Sequence, residues 1–325
     1  MQSVNFIYHG TSAATTGELR SLLSVSDLTP SELESLVKRS AILKKQIRSR
    51  KPPSTLAGKV VGLLFEKPST RTRTSFEVAT IRLGGDPVYL SAGELQLSRG
   101  EPVKDTARIL GGYLDVIVGR VYAHETLTEL AKSSGRPVVN ALSDLEHPTQ
   151  IISDLFTISE VKGKLKGLTT AFVGDGNNVV NSLLLGAALT GMNVFVACPE
   201  GYEPDSKIYN EARSIARKTG AEIATVRDPK EAVANADVVY TDVWVSMGDE
   251  SEKEERMRAF NGYQVNAALM NSAPRGAVVM HCLPAHRGLE ITDGVIEGKQ
   301  SVVWQEGENK LYGAAASLEF VCRAP

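Results

Sequence analysis

The sequence predicts an α/β protein: two doubly wound parallel-sheet domains with an active-site cleft between them. Three observations predict it. Short apolar runs of buried-strand length alternate with amphipathic helical stretches, and they do so twice along the chain. A polar stretch, Lys162-Gly163-Lys164-Leu165-Lys166-Gly167, separates the two sets. In both sets the polar residues suited to chemistry follow directly after apolar runs, where open α/β sheets bind ligands.

The elements follow in order. Thr29-Pro30-Ser31-Glu32 is a capping box with proline at the first helical position, and Leu33, Leu36, Val37 and Leu43 continue at helical spacing. Val60 to Phe65 reads as a buried strand. Pro68-Ser69 breaks it, and a helix begins near residue 70 and stops at Gly84-Gly85. Strands follow at Val88–Leu90, Asp115–Val118 and Pro137–Asn140, with helices near 103–111 and 125–132 between them. His147-Pro148-Thr149-Gln150 opens a further helix. Past the polar divide, strands are expected near 169–173, 193–197, 222–226, 237–241 and 276–280. Helices are expected near 178–190, 205–219, 229–235 and 264–271, and a last one over Glu308 to Val321.

Composition excludes several classes. A net charge of −2 over 325 residues leaves no basic footprint for nucleic acid. No apolar run approaches the roughly 20 residues that span a bilayer. Three cysteines, Cys198, Cys282 and Cys322, are odd in number and far apart, which points to a reducing compartment. The first twenty residues are rich in Ser and Thr and free of acid before Glu18, yet lack the repeated arginines of a transit peptide. They read equally as a flexible tail.

Ser69 to Thr72 sits where a strand hands over to a helix N-terminus. Unpaired N–H groups and the helix dipole meet three hydroxyls (Ser69, Thr70, Thr72) and two guanidinium groups (Arg71, Arg73) there. That arrangement suits a phosphate or similar dianion. Arg120 follows a strand, which favours a ligand crevice or, equally, a surface ion pair. His147 begins a helix after a strand and could polarise a carbonyl oxygen or simply cap the helix. Gly174-Asp175-Gly176 starts like a dinucleotide fingerprint, but Val179 stands at the third glycine position. A nicotinamide cofactor is therefore rejected, and Asn178 is left to offer its amide to a small polar ligand. Asp242 also ends a strand, and Gly248 to Arg258 has the look of a mobile lid. Cys282 could be a nucleophile, though no base is assignable to it. The histidines are too scattered for a metal site. An anion cluster in one half and an Asp/Asn/Ser/Cys cluster in the other imply one anionic and one amine-bearing substrate.

Taken together, Ser69-Thr70-Arg71-Thr72-Arg73, His147-Pro148-x-Gln150, Asp175-Gly176-Asn177-Asn178, Asp242-x-Trp244-x-Ser246-Met247-Gly248 and His281-Cys282-Leu283-Pro284 resemble the ornithine carbamoyltransferases over about residues 22 to 321. The resemblance implies transfer of the carbamoyl group of carbamoyl phosphate to the δ-amine of L-ornithine, as in arginine biosynthesis or the urea cycle. No cofactor and no metal are implied. Ser69, Thr70, Arg71 and Thr72 would hold the phosphate. Arg120, His147 and Gln150 would hold the carbamoyl end, and Cys282 and Leu283 would line the reacting centre. Gln96 would enter from a neighbouring subunit of a homotrimer. Asn178, Asp242, Ser246 and Met247 would bind ornithine. Catalytic roles fall to Cys282, His147, Arg120 and Thr72. The chain divides on this basis into a flexible tail (1–21), a carbamoyl phosphate domain (22–160 with 305–325, the C-terminal helix returning to it) and an ornithine domain (161–304). The mitochondrial matrix or the cytosol would be its compartment. One position departs from the family pattern: Glu308-Asn309-Lys310 replaces Glu-Asn-Arg, so Lys310 keeps the charge but loses the planar fork at the carbamoyl oxygen. The alternatives are a transcarbamylase for another amine, such as putrescine, and a non-catalytic partner subunit that keeps the fold.

Overall fold

The computed structural model describes residues 20–245 and 250–322. Helix α1 (Pro30–Arg48) starts at the capping box: the Thr29 hydroxyl accepts from the Glu32 N–H at 3.3 Å, and the Glu32 carboxylate accepts from the Thr29 N–H at 2.8 Å. Its stripe of Leu33, Leu36, Val37 and Leu43 is buried.

The first sheet is built from β1 (Val60–Phe65), β2 (Asp86–Ser91), β3 (Val116–Arg120) and β4 (Val138–Leu142). The crossovers are α2 (Thr70–Arg82), α3 (Val103–Tyr113) and α4 (His124–Ser134). All its pairings are parallel, in the order β2-β1-β3-β4. Helix α5 (Pro148–Lys162) then leads to the second sheet. That sheet contains β5 (Thr169–Val173), β6 (Asn193–Ala197), β7 (Ile223–Val226), β8 (Val238–Thr241) and β9 (Val278–His281). It is also wholly parallel, in the order β7-β6-β5-β8-β9. Its connections carry α6 (Asn178–Thr190), α7 (Ser206–Thr219), α8 (Pro229–Val233), α9 (Lys253–Ala259) and α10 (Ala267–Met270). Helices α11 (Asp293–Ile296) and α12 (Val303–Cys322) close the chain. The two doubly wound parallel sheets are those the alternation predicts. Buried strands read as continuous apolar runs because helices cover both faces.

Four elements differ from expectation. The short helices α9 and α11 carry too little periodicity to be seen. The helix expected over 264–271 is reduced to Ala267–Met270. Helix α12 begins at Val303 rather than Glu308, which places Glu306 inside it.

Strand order matters for function because each sheet has a switch point, where successive crossovers leave a strand in opposite directions. In the first sheet this lies between β1 and β3, and in the second between β5 and β8. Helix α12 returns to the first sheet's side. Its Glu319 takes two bonds from Arg39 of α1 (2.5 and 2.8 Å) and one from Thr55 (2.9 Å). Its Asn309 bonds Thr157 of α5 at 2.9 Å and accepts from the buried Lys44 at 3.0 Å. Among the described residues no helix is long and apolar enough to cross a membrane.

Candidate active site

The carboxyl ends of β1 and β3 deliver the turn Lys67–Thr72 and Arg120 to the first switch point. Ser69 is the N-cap of α2, and its hydroxyl accepts from the Thr72 N–H at 3.1 Å. The N–H groups of Thr70 and Arg71 keep no intrahelical acceptor and, with the dipole, make a positive pole. The ends of β5 and β8 deliver Asn178 and Asp242 to the second switch point. Both sets, with His147, Gln150, Cys282, Leu283 and Lys310, line one cavity of about 630 Å³.

Two guanidinium groups dominate the first wall. Burial lowers the pKa of Arg71, and burial with the nearby Arg71 charge lowers that of Arg120 to about 10. The Nε atoms of both are buried and have no hydrogen-bond partner among the described residues, as is the Nδ1 of His147. Like charges that act on each other in a half-buried wall are costly until an anion sits between them. Arg73 is not part of this wall, contrary to expectation. It pairs with Glu77 at 3.0 Å and stacks over Tyr89 at 3.4 Å. Residues two apart on a helix are about 200° apart around the axis, so Arg71 and Arg73 cannot serve one ligand. The second arginine is Arg120, from a different strand.

His147 is fully buried, and burial, then Lys310 and Arg120, push its pKa well below the usual value. It is neutral at pH 7 and can donate one hydrogen bond without bringing a charge. Burial, then Asp242, pushes the Cys282 thiol well above its ordinary pKa. A thiol so raised is a poor nucleophile, and the covalent reading of Cys282 is set aside. Leu283 has φ of 58°, its N–H donating to His281 Nδ1 at 2.9 Å. Left-handed backbone at a leucine costs about 1–3 kcal/mol and is typical of functional walls.

On the second wall Asn177 caps α6 and donates to Asp242 Oδ2 at 2.9 Å, fixing that carboxylate. Asn178 gives its amide N–H to the Ser143 carbonyl at 2.5 Å. Its Oδ1 is left open toward the cavity, so the amide expected to meet a ligand can do so as an acceptor. The loop glycines serve packing: a Cβ on Gly176 would lie 2.3 Å from the Glu203 backbone carbon. That close approach is to protein, so no room for a pyrophosphate is implied.

Lys310 reaches the site. It is buried on α12 and donates to Gln150 Oε1. Gln96 lies exposed in a 3₁₀ turn (Gln96–Arg99), outside this chain's cavity. Ser246 and Met247 lie outside the described residues. Sequence reasoning missed Lys67, Lys253, Met257, His286 and Leu289, all on the cavity wall. Lys253 and Met257 are one helical turn apart on α9, within the segment expected to be a lid, and that spacing is the signal available for them. Arg256 secures α9 by bonding Asp175 at 3.0 Å and the Trp244 carbonyl at 3.1 Å. Asp242, His281 and Cys282 bring ligand-type atoms within 4.8 Å of one another. Both His281 nitrogens are engaged, with Leu283 N–H and with Glu290 at 3.0 Å, so the trio does not fit a metal.

This geometry has counterparts in known proteins. Residues 20–160 match the family model for the carbamoyl-P binding domain of aspartate/ornithine carbamoyltransferase, and residues 166–321 match that for its Asp/Orn binding domain. The chain belongs to the aspartate/ornithine carbamoyltransferase family. Within it, the chain is similar to an ornithine carbamoyltransferase of Archaeoglobus fulgidus, 51% identical over 92% of this chain and 96% of that protein. It is 50% identical to a catabolic ornithine carbamoyltransferase of Thermoplasma acidophilum, over 92% of this chain and 97% of that one. A solved ornithine carbamoyltransferase from Pyrococcus furiosus superposes with a TM-score of 0.89 at 47% identity, covering 92% and 96% of the two chains. The family resemblance read from the motifs therefore holds across both sheets.

Proposed function

We propose that the chain transfers the carbamoyl group of carbamoyl phosphate to the δ-amine of L-ornithine, giving L-citrulline and phosphate. One observation carries the reading. A single cavity joins an unneutralised arginine pair at a helix N-terminus to a fixed carboxylate and amide acceptor on the facing wall. The first fits an acyl phosphate, and the second fits the α-ammonium of an amino acid.

In this reading the phosphate rests on the N-terminal turn of α2, with Ser69, Thr70, Arg71 and Thr72. The carbonyl oxygen faces Thr72, Arg120 and the neutral His147. Gln150 Oε1 accepts from the carbamoyl amine, with Lys310 beside it. Asn178 and Asp242 hold ornithine, with Ser246 and Met247 in the adjoining segment, and Cys282 and Leu283 border the δ-nitrogen. The neutral δ-amine attacks the carbonyl carbon, a C–N bond forms, and an oxyanion develops against Thr72 and His147. The C–O bond to phosphate then breaks, and the amine's proton leaves with the phosphate. Holding the two reactants in line supplies much of the acceleration. Residues 22–160 with 305–325 form the carbamoyl phosphate domain, and 161–304 the ornithine domain. Relatives at about half identity come from archaea and bacteria, which favours the cytosol over a mitochondrial matrix.

The test is citrulline formation from carbamoyl phosphate with ornithine, putrescine, lysine and aspartate offered separately. Turnover is expected with ornithine above all others. No product with ornithine would sink the reading, and preference for putrescine would leave the donor half and correct the acceptor. Lys310→Arg is expected to lower the carbamoyl phosphate KM by about threefold to tenfold, through the restored planar fork. Unchanged KM and kcat would show the lysine to be immaterial.

A homotrimer with sites at subunit interfaces belongs to the same reading. Ile81, Val88, Ile109, Tyr113 and Tyr122, all from the first half, are exposed, and so is Gln96. Gln96→Ala and Arg71→Met are each expected to be inactive, and to recover activity when mixed and allowed to exchange subunits. No recovery in mixtures that demonstrably exchange would remove Gln96 from the neighbour's site.

A further inference from the structure

Behind the cavity wall lies a polar cluster that the proposed reaction leaves unused. Asp154 on α5, Tyr240 on β8 and Glu306 on α12 are all wholly buried. They meet where the two sheets and the closing helix join. The Tyr240 hydroxyl lies 2.8 Å from Asp154 Oδ2 and 3.2 Å from Glu306 Oε1. Gln150 Nε2 donates to Asp154 Oδ1 at 2.7 Å and makes a long contact with Glu306 Oε1 at 3.5 Å. Glu306 Oε2 accepts the His281 N–H at 2.9 Å, one residue before Cys282. Lys310, one turn beyond Glu306, donates to Gln150 Oε1.

Counting hydrogens and charges together decides the protonation. A tyrosine hydroxyl has one hydrogen and here faces two carboxyl oxygens. With both carboxyls ionised, the Tyr240 oxygen and Glu306 Oε1 would meet lone pair to lone pair at 3.2 Å, relieved only by the second Gln150 N–H, whose nitrogen stands 3.5 Å from Glu306 Oε1, and two negative charges would share one dry pocket. One added proton resolves it. Placed on Glu306 Oε1, it makes an unbroken chain: Glu306 donates to Tyr240, Tyr240 donates to Asp154, and Asp154 takes Gln150's amide hydrogen on its other oxygen. We infer that Asp154 and Glu306 share a single proton, carried by Glu306, and that this trio is a positioning device for Gln150 and Lys310 at the carbamoyl end.

The consequence at the site is specific. An ammonium only donates and an ionised carboxylate only accepts. Lys310 and Asp154 therefore hold the Gln150 amide from both ends in one orientation, with Oε1 toward the lysine and the cavity. A flipped amide would present a donor to the carbamoyl amine and lose it. The single negative charge on Asp154 also offsets Lys310, which stands near Arg71 and Arg120. Burial is what raises both carboxyls, Asp154 to about 7 and Glu306 well beyond its usual range. The groups facing the pair are Lys310 on α12, Tyr240 on β8 and the Cys282 thiol after β9, and Asp242 acts on Tyr240 from farther off.

The proton count stands on geometry alone. Its effect on carbamoyl phosphate rests on the proposed reaction. The test is an amide scan read three ways. Glu306→Gln reproduces the protonated acid, its amide donating to Tyr240 and its carbonyl accepting from His281, so it is expected to restore most of what Glu306→Ala loses. Asp154→Asn either sets its amide against Gln150's or reverses the chain and moves the negative charge onto Glu306, away from Gln150, and a rise of about tenfold or more in carbamoyl phosphate KM is expected. Tolerance of amides at both positions, at neither, or at 154 alone overturns the assignment. Stability gives the second reading. A carboxyl whose folded pKa lies above its unfolded value of about 4.3 stabilises fully below that value, and this is lost as pH rises toward the folded pKa. Glu306→Gln is free of that loss, so its melting temperature should gain on the wild type as pH rises from about 4 to about 8; a constant difference contradicts the proposal. The third needs no Asp154 variant. Difference infrared spectra at neutral pH should show a protonated-carboxyl band in wild-type protein that Glu306→Gln lacks, and an identical spectrum overturns the proton's place. Should ornithine turnover fail while the spectra and melting curves hold, the reaction is wrong and the proton assignment stands.

Discussion

Replacing Arg71 with methionine is expected to lower kcat/KM for carbamoyl phosphate by about a thousandfold, the loss typical of one partner in a buried charge pair. Arg71 sits at the helix pole, its Nε buried and unpartnered among the described residues. Arg71→Lys should recover only part of the loss, because a point charge cannot bridge two phosphate oxygens. The same methionine variant should melt at a higher temperature than the ligand-free wild type. It removes one of two guanidinium groups whose burial and mutual repulsion depress the Arg120 pKa. A site that gains stability as it loses function is one that stores unfavourable charge for its ligand. Should the variant lose stability instead, the arginine is structural and the anion site is misassigned. Steady-state kinetics at varied carbamoyl phosphate, beside thermal melts with and without it, decide between these.

His147→Ala is expected to lower kcat by about 10²- to 10³-fold, the usual cost of one oxyanion donor, with little change in the ornithine KM. Because burial keeps His147 neutral, its titration should leave no limb in the kcat profile between pH 6 and 9. The limb expected there belongs to the bound ornithine ammonium, which must lose a proton before it can attack. His147→Ala should therefore lower the whole profile without moving that limb. A limb that disappears in the variant would make the histidine the base and contradict the account.

Local turn chemistry explains what was legible beforehand. Ser69 at an N-cap, Pro148 at a first helical turn and the Gly174–Asn177 loop announce themselves within a few residues, and the structure sets Ser69 and the neighbours of the other two, His147 and Asn178, on the cavity wall. The alternation of runs gives two parallel sheets but not strand order. The facing of the two switch points therefore appears only when the sheets are built. Arg73 shows where local reading misleads: it stands two residues from Arg71 in the same motif, and helix rotation turns it to Glu77 and Tyr89. Asn178 shows what the sequence leaves open, since which end of an amide is free depends on a carbonyl 35 residues away. The Asp154–Tyr240–Glu306 trio was invisible because its members are 86 and 66 residues apart, each inside an element that otherwise reads as core.

The most direct measurement is a crystal structure of the protein with carbamoyl phosphate and norvaline, an amino acid that matches ornithine but lacks the reacting amine. The account predicts both ligands in the one cavity. The phosphate should sit on the N-terminal turn of α2 against Arg71, the carbonyl oxygen against Thr72 and His147, and the norvaline α-ammonium against Asp242 and Asn178, its side chain ending near Cys282. Phosphate bound away from that turn, or the two ligands in separate cavities, would contradict it.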